Sequence, residues 1–460
     1  MSQRPNIVLF LTDDHGAWAL GCAGHPEIRT PNLDRLASGG VRFTDATTPC
    51  PVCSPARACL MTGRTPSQHG IHDWLGPEQS EERDWLANEQ TLPEFLHDAG
   101  YWTALSGKWH LGSPWTTPRG FDRCFSFGSQ YPHIGNIRCH RDDERLELQG
   151  NRGDIITDEA LAMLRDRPAD KPFFLNVGYV ATHSPYQEEA HDPAIVETYR
   201  DATFEGMPRD TPPHPWHKNE GLAGGDLHNQ EAIKSRWRGY FAAVTQIDRD
   251  VGRLLDWLET EGLAENTLVV YTSDHGCALG HQGFWGKGNS TRPLNMYEVS
   301  LQVPLLARGP MPGWNDGLVR ETSVDQYDLF QTLLHAADVK PPTGRDYPGD
   351  SFLDPAWQRP GPRFGEYGDL RMIRTDRHKL VHQHWNPAAS ELFDLQEDPH
   401  ERSPLDDPPL RDRLLAQLQA WYAEHEDPAK SGLNVKSLPQ HNSGAEAWRD
   451  GRREENVGVG

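Results

Sequence analysis

The sequence predicts an α/β protein: a large, mostly parallel or mixed central sheet flanked by helices, with a small α+β unit at its C-terminal end. Three observations carry this. Short apolar runs recur, each ending in polar, chemically capable residues; helical periodicity alternates with them; and the texture of the chain changes after about residue 355.

Residues 7–11 run into Thr12-Asp13-Asp14-His15-Gly16, and residues 101–105 into Ser106-Gly107-Lys108-Trp109-His110. Residues 173–180 run into Ala181-Thr182-His183-Ser184-Pro185, and residues 268–271 into Thr272-Ser273-Asp274-His275-Gly276. Continuous apolar runs of this length, bounded by Gly and polar residues, read as buried strands of a largely parallel sheet. Between them, residues 91–99 have Thr91 at the N-cap, Pro93 early and Gly100 just past the end. Residues 235–261 repeat Tyr240, Val244, Ile247, Val251, Leu254 and Leu258 on one helix face. The alternation is that of an α/β protein. In such sheets ligands bind outside the carboxyl ends of the strands, where all four polar clusters lie.

Beyond residue 355, Arg371-Met372-Ile373-Arg374, Lys379-Leu380-Val381 and Glu391-Leu392-Phe393-Asp394-Leu395 read as short antiparallel strands. Leu410, Leu414, Leu418 and Trp421 then share one face of a helix over 410–423. The expected organisation is a main catalytic domain over 1–355, a subdomain over 356–426 and a polar, Gly-rich arm over 427–460. Residues 202–229, rich in Pro, His and Gly, read as a long loop near the cleft or an insertion.

Composition sets limits on function. At 460 residues the chain exceeds the usual single-domain range. Its net charge of −22 repels nucleic acid and anionic membranes, so neither is an expected partner. An anionic substrate would therefore need positive charge gathered locally at its site. The opening MSQRPNIVLFLTDD has no basic n-region, long apolar core or cleavage site, and IVLFL is too short to span a bilayer. Seven cysteines (22, 50, 53, 59, 124, 139 and 277) give an odd count without the framework of a small secreted domain. A cytoplasmic location is expected, or a periplasmic or secreted one if a leader has been removed. Oligomeric state is not legible.

Two acidic strand ends, Asp13-Asp14 and Asp274-His275, lie about 260 residues apart. Carboxylates at such places are costly unless paired or metal-bound. Either pair alone also reads as a turn or a helix cap. Together, three Asp and one His make a hard site suited to Ca²⁺, Mn²⁺ or Mg²⁺. In the segment from Pro49 to Arg64, Ser54 suits an N-cap, Pro55 the first helical position and Gly63 the stop. Cys53 then sits at a helix mouth, where free N–H groups and the dipole favour an anion and a reactive sulfur. Arg57, one turn in, adds positive charge. Cys50-x-x-Cys53 also fits a redox pair or zinc half-site, but no second Cys/His pair with ligand spacing accompanies it.

Cys53-Ser54-Pro55-Ala56-Arg57 with Leu60-Met61-Thr62-Gly63-Arg64 resembles the signature of the type I, formylglycine-dependent sulfatases of the alkaline phosphatase superfamily. Further blocks are similar in the same order: Asn6 to Asp14, Thr30-Pro31-Asn32-Leu33-Asp34, Gly107 to Gly112, Thr182 to Pro185, Ser273 to Gly276, Trp285-Gly286-Lys287-Gly288, Val303-Pro304-Leu305, and Glu391 to Leu395 with Asp398-Pro399. The resemblance spans residue 5 to about 425 and implies an alkaline phosphatase-like fold. It also implies that Cys53 is oxidised to formylglycine by a maturation enzyme. Asp13, Asp14, Asp274, His275 and the modified Cys53 then resemble the metal ligands, for Ca²⁺ with Mn²⁺ or Mg²⁺ as alternatives. Many members carry Asn where this chain has His275.

The implied roles continue residue by residue. Arg57 and Lys108 hold the nucleophile, His110 is the base that breaks down the covalent intermediate, and His183 and Lys287 lie at the leaving-group oxygen. One hydroxyl of the hydrated aldehyde attacks sulfur, the alcohol departs with a proton from His183 or Lys287, and the second hydroxyl lets the aldehyde reform as sulfate leaves. Hydrolysis moves negative charge to the bridging oxygen, which the metal and the three cations Arg57, Lys108 and Lys287 stabilise. Single lysines or histidines are otherwise most often surface or loop groups.

The expected substrate is a sulfate monoester of a carbohydrate or small organic alcohol. His72 and Trp74, just after the nucleophile helix, are candidate pocket residues, as are Trp109 and Trp285, which stack on a ring or pack in the core. A phosphonate monoester or phosphodiester hydrolase on the same fold is the rival reading. An inactive binding protein is a remoter one, since no nucleophile or ligand is missing.

Overall fold

The four apolar runs become four adjacent strands. In a computed structural model describing residues 4–128, 132–209, 211–217, 229–437 and 441, a central sheet is formed by β1 (Asn6–Thr12), β2 (Val41–Phe43), β3 (Trp102–Gly107), β4 (Arg123–Phe127), β5 (Ile134–Arg141), β6 (Glu144–Asn151), β7 (Phe173–Gly178), β8 (Thr267–Ser273), β9 (Leu305–Arg308) and β10 (Leu318–Arg320). Among the described residues its order is β10-β2-β9-β8-β1-β7-β3-β4-β5-β6. The contiguous block β8-β1-β7-β3-β4 is parallel. Antiparallel pairings bring β9 onto β8 and join β4, β5 and β6. All four predicted strands lie in the parallel block, where burial on both faces makes an apolar run continuous.

Side chains of β1 alternate between two layers. Ile7, Leu9 and Leu11 join a core with Leu60 and Met61 of α1 (Cys53–Thr62) and with Phe330 and Leu333 of a helix over Gln326–Ala336. Val8 and Phe10 face the other layer, where Ile156 and Leu164 of α2 (Arg152–Asp166) meet Val251 and Leu254 of α3 (Gln230–Thr260). The helix expected over 235–261 thus starts earlier, with Asn229 as N-cap accepting from Glu231 and Ala232. The short helix after Thr91 spans Leu92–Asp98 and carries a capping box between Thr91 and Glu94.

A second, four-stranded antiparallel sheet is built from Arg363–Tyr367, Leu370–Arg374, His378–Gln383 and Glu391–Asp394 in chain order. Helix Pro408–His425 packs on it through Leu410, Leu414 and Leu418. Its first strand was not expected from the sequence: Arg363-Phe364-Gly365 lacks an apolar run, and tertiary pairing with Leu370–Arg374 fixes it. The expected arm over 427–460 and the loop over 202–229 lie in part outside the described residues. No described helix is long and apolar enough to cross a membrane.

Candidate active site

The site forms where β1, β3, β7 and β8 end. The Asp274 N–H donates to Thr12 O at 3.1 Å and the Lys108 N–H to Gly178 O at 2.8 Å, tying neighbouring strand ends together. A Cβ on Gly107 would stand 2.1 Å from Gly178 O, so only glycine lets β3 and β7 close here. Asp14 sits at φ +61°. Its carbonyl is held in that turn by the hydroxyls of Thr182 at 2.7 Å and Tyr240 at 2.9 Å.

Helix α1 begins two residues earlier than its capping chemistry suggested. Cys53 is its first residue, and Val52 occupies the N-cap in extended conformation without a side-chain cap. Ser54 Oγ instead accepts the Leu75 N–H at 3.1 Å, so its bonding capacity goes to the neighbouring loop. Gly63 closes the helix at φ +66° as expected.

This helix presents the Cys53 thiol to the buried acids. Cys53 Sγ lies 3.4 Å from Asp13 Oδ1, 3.4 Å from His275 Nε2 and 2.9 Å from Lys287 Nζ. Lys287 Nζ also reaches Asp14 Oδ1 at 2.6 Å, and Lys108 is paired with Asp13. Arg57 is fully buried; it donates to Asp274 Oδ2 at 2.8 Å and to Lys108 O at 3.0 Å. It therefore holds the strand ends and Asp274, and reaches the thiol only through charge. The locally gathered positive charge that an anionic substrate requires is present as Arg57, Lys108 and Lys287.

Each titrating group responds to this packing. Burial pushes the Cys53 thiol up, but Lys108, Lys287 and His275 override it and bring it well below its ordinary value. Burial also raises the Asp13 carboxyl, and Lys108, His183 and Lys287 outweigh it and lower the group. Asp274 moves up to about 6, through burial and the charge on Asp13.

Asp13, Asp14, Cys53 and His275 each offer a ligand atom, and these atoms lie within 4.8 Å of one another. His275 Nδ1 faces Gly276 O at 2.9 Å, which leaves Nε2 aimed into the acids, 3.3 Å from Asp14 Oδ1 and 3.4 Å from Asp274 Oδ1. A ring nitrogen fixed by a carbonyl on its other side is the usual support of a metal-binding imidazole. The carboxylate-rich donor set fits a hard divalent cation. Asp274 borders the group, with Oδ2 on Arg57 and Oδ1 accepting the His275 N–H at 2.9 Å.

Two histidines flank the thiol. His110, at φ +64°, places Nε2 2.8 Å from Leu75 O. A carbonyl only accepts, so the proton is assigned to Nε2 and Nδ1 keeps its lone pair. Burial, then Lys108, lowers this ring to about 4. His183 Nδ1 faces Ser184 O at 3.0 Å. Burial and Lys287 lower this ring, but Asp14, Asp13 and Cys53 outweigh them and raise it. The same packing thus moves the two rings in opposite directions.

Residues 5–339 match the sulfatase family model. The chain belongs to the sulfatase family. An N-acetylglucosamine-6-O-sulfatase of Bacteroides thetaiotaomicron is 28% identical, covering 87% of this chain and 82% of its own length. The N-acetylgalactosamine-6-sulfatase of Homo sapiens is 29% identical over 94% and 88%. A solved structure in complex with its substrate D-glucosamine-2-N,6-O-disulfate gives a TM-score of 0.79 at 25% identity, over 93% of this chain and 99% of that one. The phosphonate monoester hydrolase of Agrobacterium radiobacter gives 0.69 at 20% identity over 92% and 96%, a likeness of fold alone. This sulfatase is a sulfuric ester hydrolase.

Three of the four expected pocket residues make packing contacts. His72 is buried with Nε2 on Lys430 O at 2.7 Å, which packs it against the C-terminal segment. Trp285 stacks on Trp237 with centroids 6.3 Å apart and belongs to the core beneath α3. Trp109 is packed edge-on to Phe121 at 5.5 Å. Both tryptophans make ring contacts within the fold, and Trp109 also borders an open cavity with Leu111 and Arg119. Trp74 is half-buried beside Cys50, Val52 and Leu294.

Sequence reasoning missed supports of the sulfatase site. Tyr186 OH donates to Asp14 Oδ2 at 2.9 Å, and it follows the Thr182–Pro185 block directly, a proximity that was legible. Gln326 Nε2 donates to the carbonyls of Ser273 at 3.1 Å and Asp274 at 2.8 Å. It starts a helix some fifty residues downstream, and no local pattern marks it.

Proposed function

We propose that this sulfatase hydrolyses a 6-O-sulfate ester of an amino sugar, with residue 53 acting after conversion to formylglycine by a maturation enzyme. The observation that carries the reading is the convergence of Asp13, Asp14, His275 and Lys287 on the Cys53 sulfur. The sugar class is supported by the relatives named as N-acetylglucosamine-6-O- and N-acetylgalactosamine-6-sulfatases and by the neighbour in complex with D-glucosamine-2-N,6-O-disulfate.

Asp13, Asp14, Asp274, His275 and residue 53 would hold a divalent cation, for which the oxygen-rich set favours Ca²⁺ over Mn²⁺ or Mg²⁺. When bound, such an ion supplies Lewis acidity that draws charge from the sulfate oxygens. The formyl group, hydrated, supplies a nucleophilic hydroxyl and a second one for regeneration. Lys108 and Arg57 keep Asp13 and Asp274 ionised and in place through their ion pairs. Lys287 Nζ lies beside residue 53 and balances charge on the sulfate. His183, protonated and tied at Nδ1, is placed to give its Nε2 proton to the leaving sugar oxygen. His110 Nδ1 is placed to take a proton from residue 53 as sulfate departs.

The test compares N-acetylglucosamine 6-sulfate, 3-sulfated and N-sulfated glucosamine, and an aryl phosphonate, with peptide mass spectrometry across residue 53. The 6-sulfate should have the highest kcat/KM, and residue 53 should carry the aldehyde mass. A higher kcat/KM on the phosphonate, or an intact alkylatable thiol in active enzyme, overturns the reading.

A further inference from the structure

The segment 182–186 links several parts of the site. The Thr182 N–H donates to Asp13 O at 2.8 Å, His183 faces the thiol, and Tyr186 bonds Asp14. Behind it stand two more histidines that none of the site chemistry uses. His133 Nε2 lies 2.9 Å from His183 O, and His191 Nε2 lies 3.0 Å from Pro185 O. Their rings stack with centroids 5.3 Å apart and planes 23° from parallel. Carbonyls only accept, so each Nε2 carries the proton and donates.

Both rings are anchored from behind. The Arg152 N–H at the start of α2 donates to His133 O at 2.8 Å. A Cβ on Gly239 of α3 would meet Tyr186 O at 2.0 Å and His191 Cδ2 at 2.9 Å, so the helix backbone itself presses on this loop. Burial holds His133 well below its ordinary pKa and brings His191 to about 4. Near neutral pH each ring is therefore uncharged and donates one fixed hydrogen bond.

We propose that His133 and His191 form a stacked clamp that positions the proton-donating ring of His183 by holding the carbonyls of residues 183 and 185. They are positioning residues, since neither touches residue 53. The clamp rests on the reading of His183 as the leaving-group acid. A group misplaced by about 1 Å loses up to about 100-fold in rate. A proton donor matters for a sugar alkoxide and little for a nitrophenolate, which leaves without one. The signature of the clamp is therefore dependence on the leaving group.

The experiment measures kcat and KM of His133→Leu, His133→Gln, His191→Leu and His191→Gln on N-acetylglucosamine 6-sulfate and 4-nitrophenyl sulfate, with His183→Ala as reference. The Leu variants should lose about 10- to 100-fold in kcat on the sugar sulfate, with KM within about 3-fold and nitrophenyl sulfate turnover within about 3-fold. The Gln variants, which keep an N–H donor, should recover most of the loss. Equal losses on both substrates, or no loss on either, overturn the clamp. Should one Leu variant fail to fold, the other position and the two Gln variants decide by the same criterion. If His183→Ala itself shows no leaving-group dependence, the reading of His183 fails. If it does and the clamp variants do not, the clamp alone fails.

Discussion

Two of the dense groups of buried charge among the described residues are built on opposite principles. One is the site at the ends of β1, β3, β7 and β8. The other lies where the C-terminal sheet meets the main sheet and joins Asp45, Glu298 and Glu401 to Arg363, Arg374 and Lys379. At this junction donors and acceptors match. The three protons of the Lys379 ammonium meet Met296 O at 2.9 Å, Glu298 Oε1 at 3.1 Å and the Glu401 carboxylate. Arg374 divides itself between Glu298 at 3.0 Å and Asp45 at 3.2 Å. At the site the groups converge instead. Three carboxylates, a thiol and an ammonium all face His275 Nε2 or its immediate surroundings. Buried charge that is matched pair by pair holds elements together; buried charge that converges on one point is left with ligand capacity for something else.

Replacing the point of convergence should have the largest effect. Cys53→Ala should lower kcat on any sulfate ester by at least about 10⁴-fold, with the unfolding midpoint little changed. A smaller loss would mean that another group attacks sulfur. The junction should respond in the reverse way. Lys379→Met leaves Glu298 and Glu401 buried without their partner, and should cost about 3–5 kcal/mol in denaturant unfolding. The kcat of the folded fraction should stay within about 3-fold of wild type. Collapse of kcat with stability intact would show that the junction belongs to the catalytic machinery, and the contrast would dissolve.

Much of the site was legible because its residues follow strands whose burial forces an apolar run. Asp13, Lys108, His183 and Asp274 all stand two or three residues beyond such a run, and the parallel block brings the four ends together. Cys53 was placed from helix-start chemistry, although its helix starts at Cys53 and not at Pro55. The flanks of the sheet were not legible. Strand β6 has only exposed and half-buried residues over Glu144–Asn151 with little apolar content, and β2 and β10 are three residues each. Trp109 and Trp285 each stand two residues or fewer from Lys108, His110 or Lys287 in sequence, and the structure packs their rings on Phe121 and Trp237, contacts that no local pattern marks. The Arg57 role narrowed for a similar reason, since a long buried side chain finds the carboxylate and carbonyls nearest its guanidinium.

A smaller effect separates the two regions thermodynamically. A divalent cation added at about 100 times its Kd to metal-stripped protein should raise unfolding stability by about 2.7 kcal/mol. Asp13→Asn should abolish most of that gain, while Lys379→Met should leave the increment unchanged. Equal increments in Asp13→Asn and wild type would place the cation elsewhere. Ca²⁺, Mn²⁺ and Mg²⁺ are to be compared in the same titration, and Ca²⁺ is expected to bind tightest.

The finest distinction concerns how each region disposes of a surplus carboxylate. At the junction Glu391, half-buried, receives the Tyr297 hydroxyl at 3.1 Å. Burial, reinforced by Glu401, brings its carboxyl up to about 7. An acid whose pKa rises from 4.5 to about 7 on folding takes up a proton between those values, so its contribution to stability is full below pH 4.5 and lost as pH rises through 7. Glu391→Gln, which cannot ionise, should match wild type near pH 4.5 and exceed it by about 1–3 kcal/mol at pH 8. Urea unfolding of both proteins at the two pH values measures this. A difference that does not change with pH would mean that Glu391 keeps its charge in the folded state, and that the junction is wetter than its pairing implies. The junction then neutralises its extra acid with a proton, whereas the site, with Lys287 and His275 already among its acids, leaves room for a metal charge to do so.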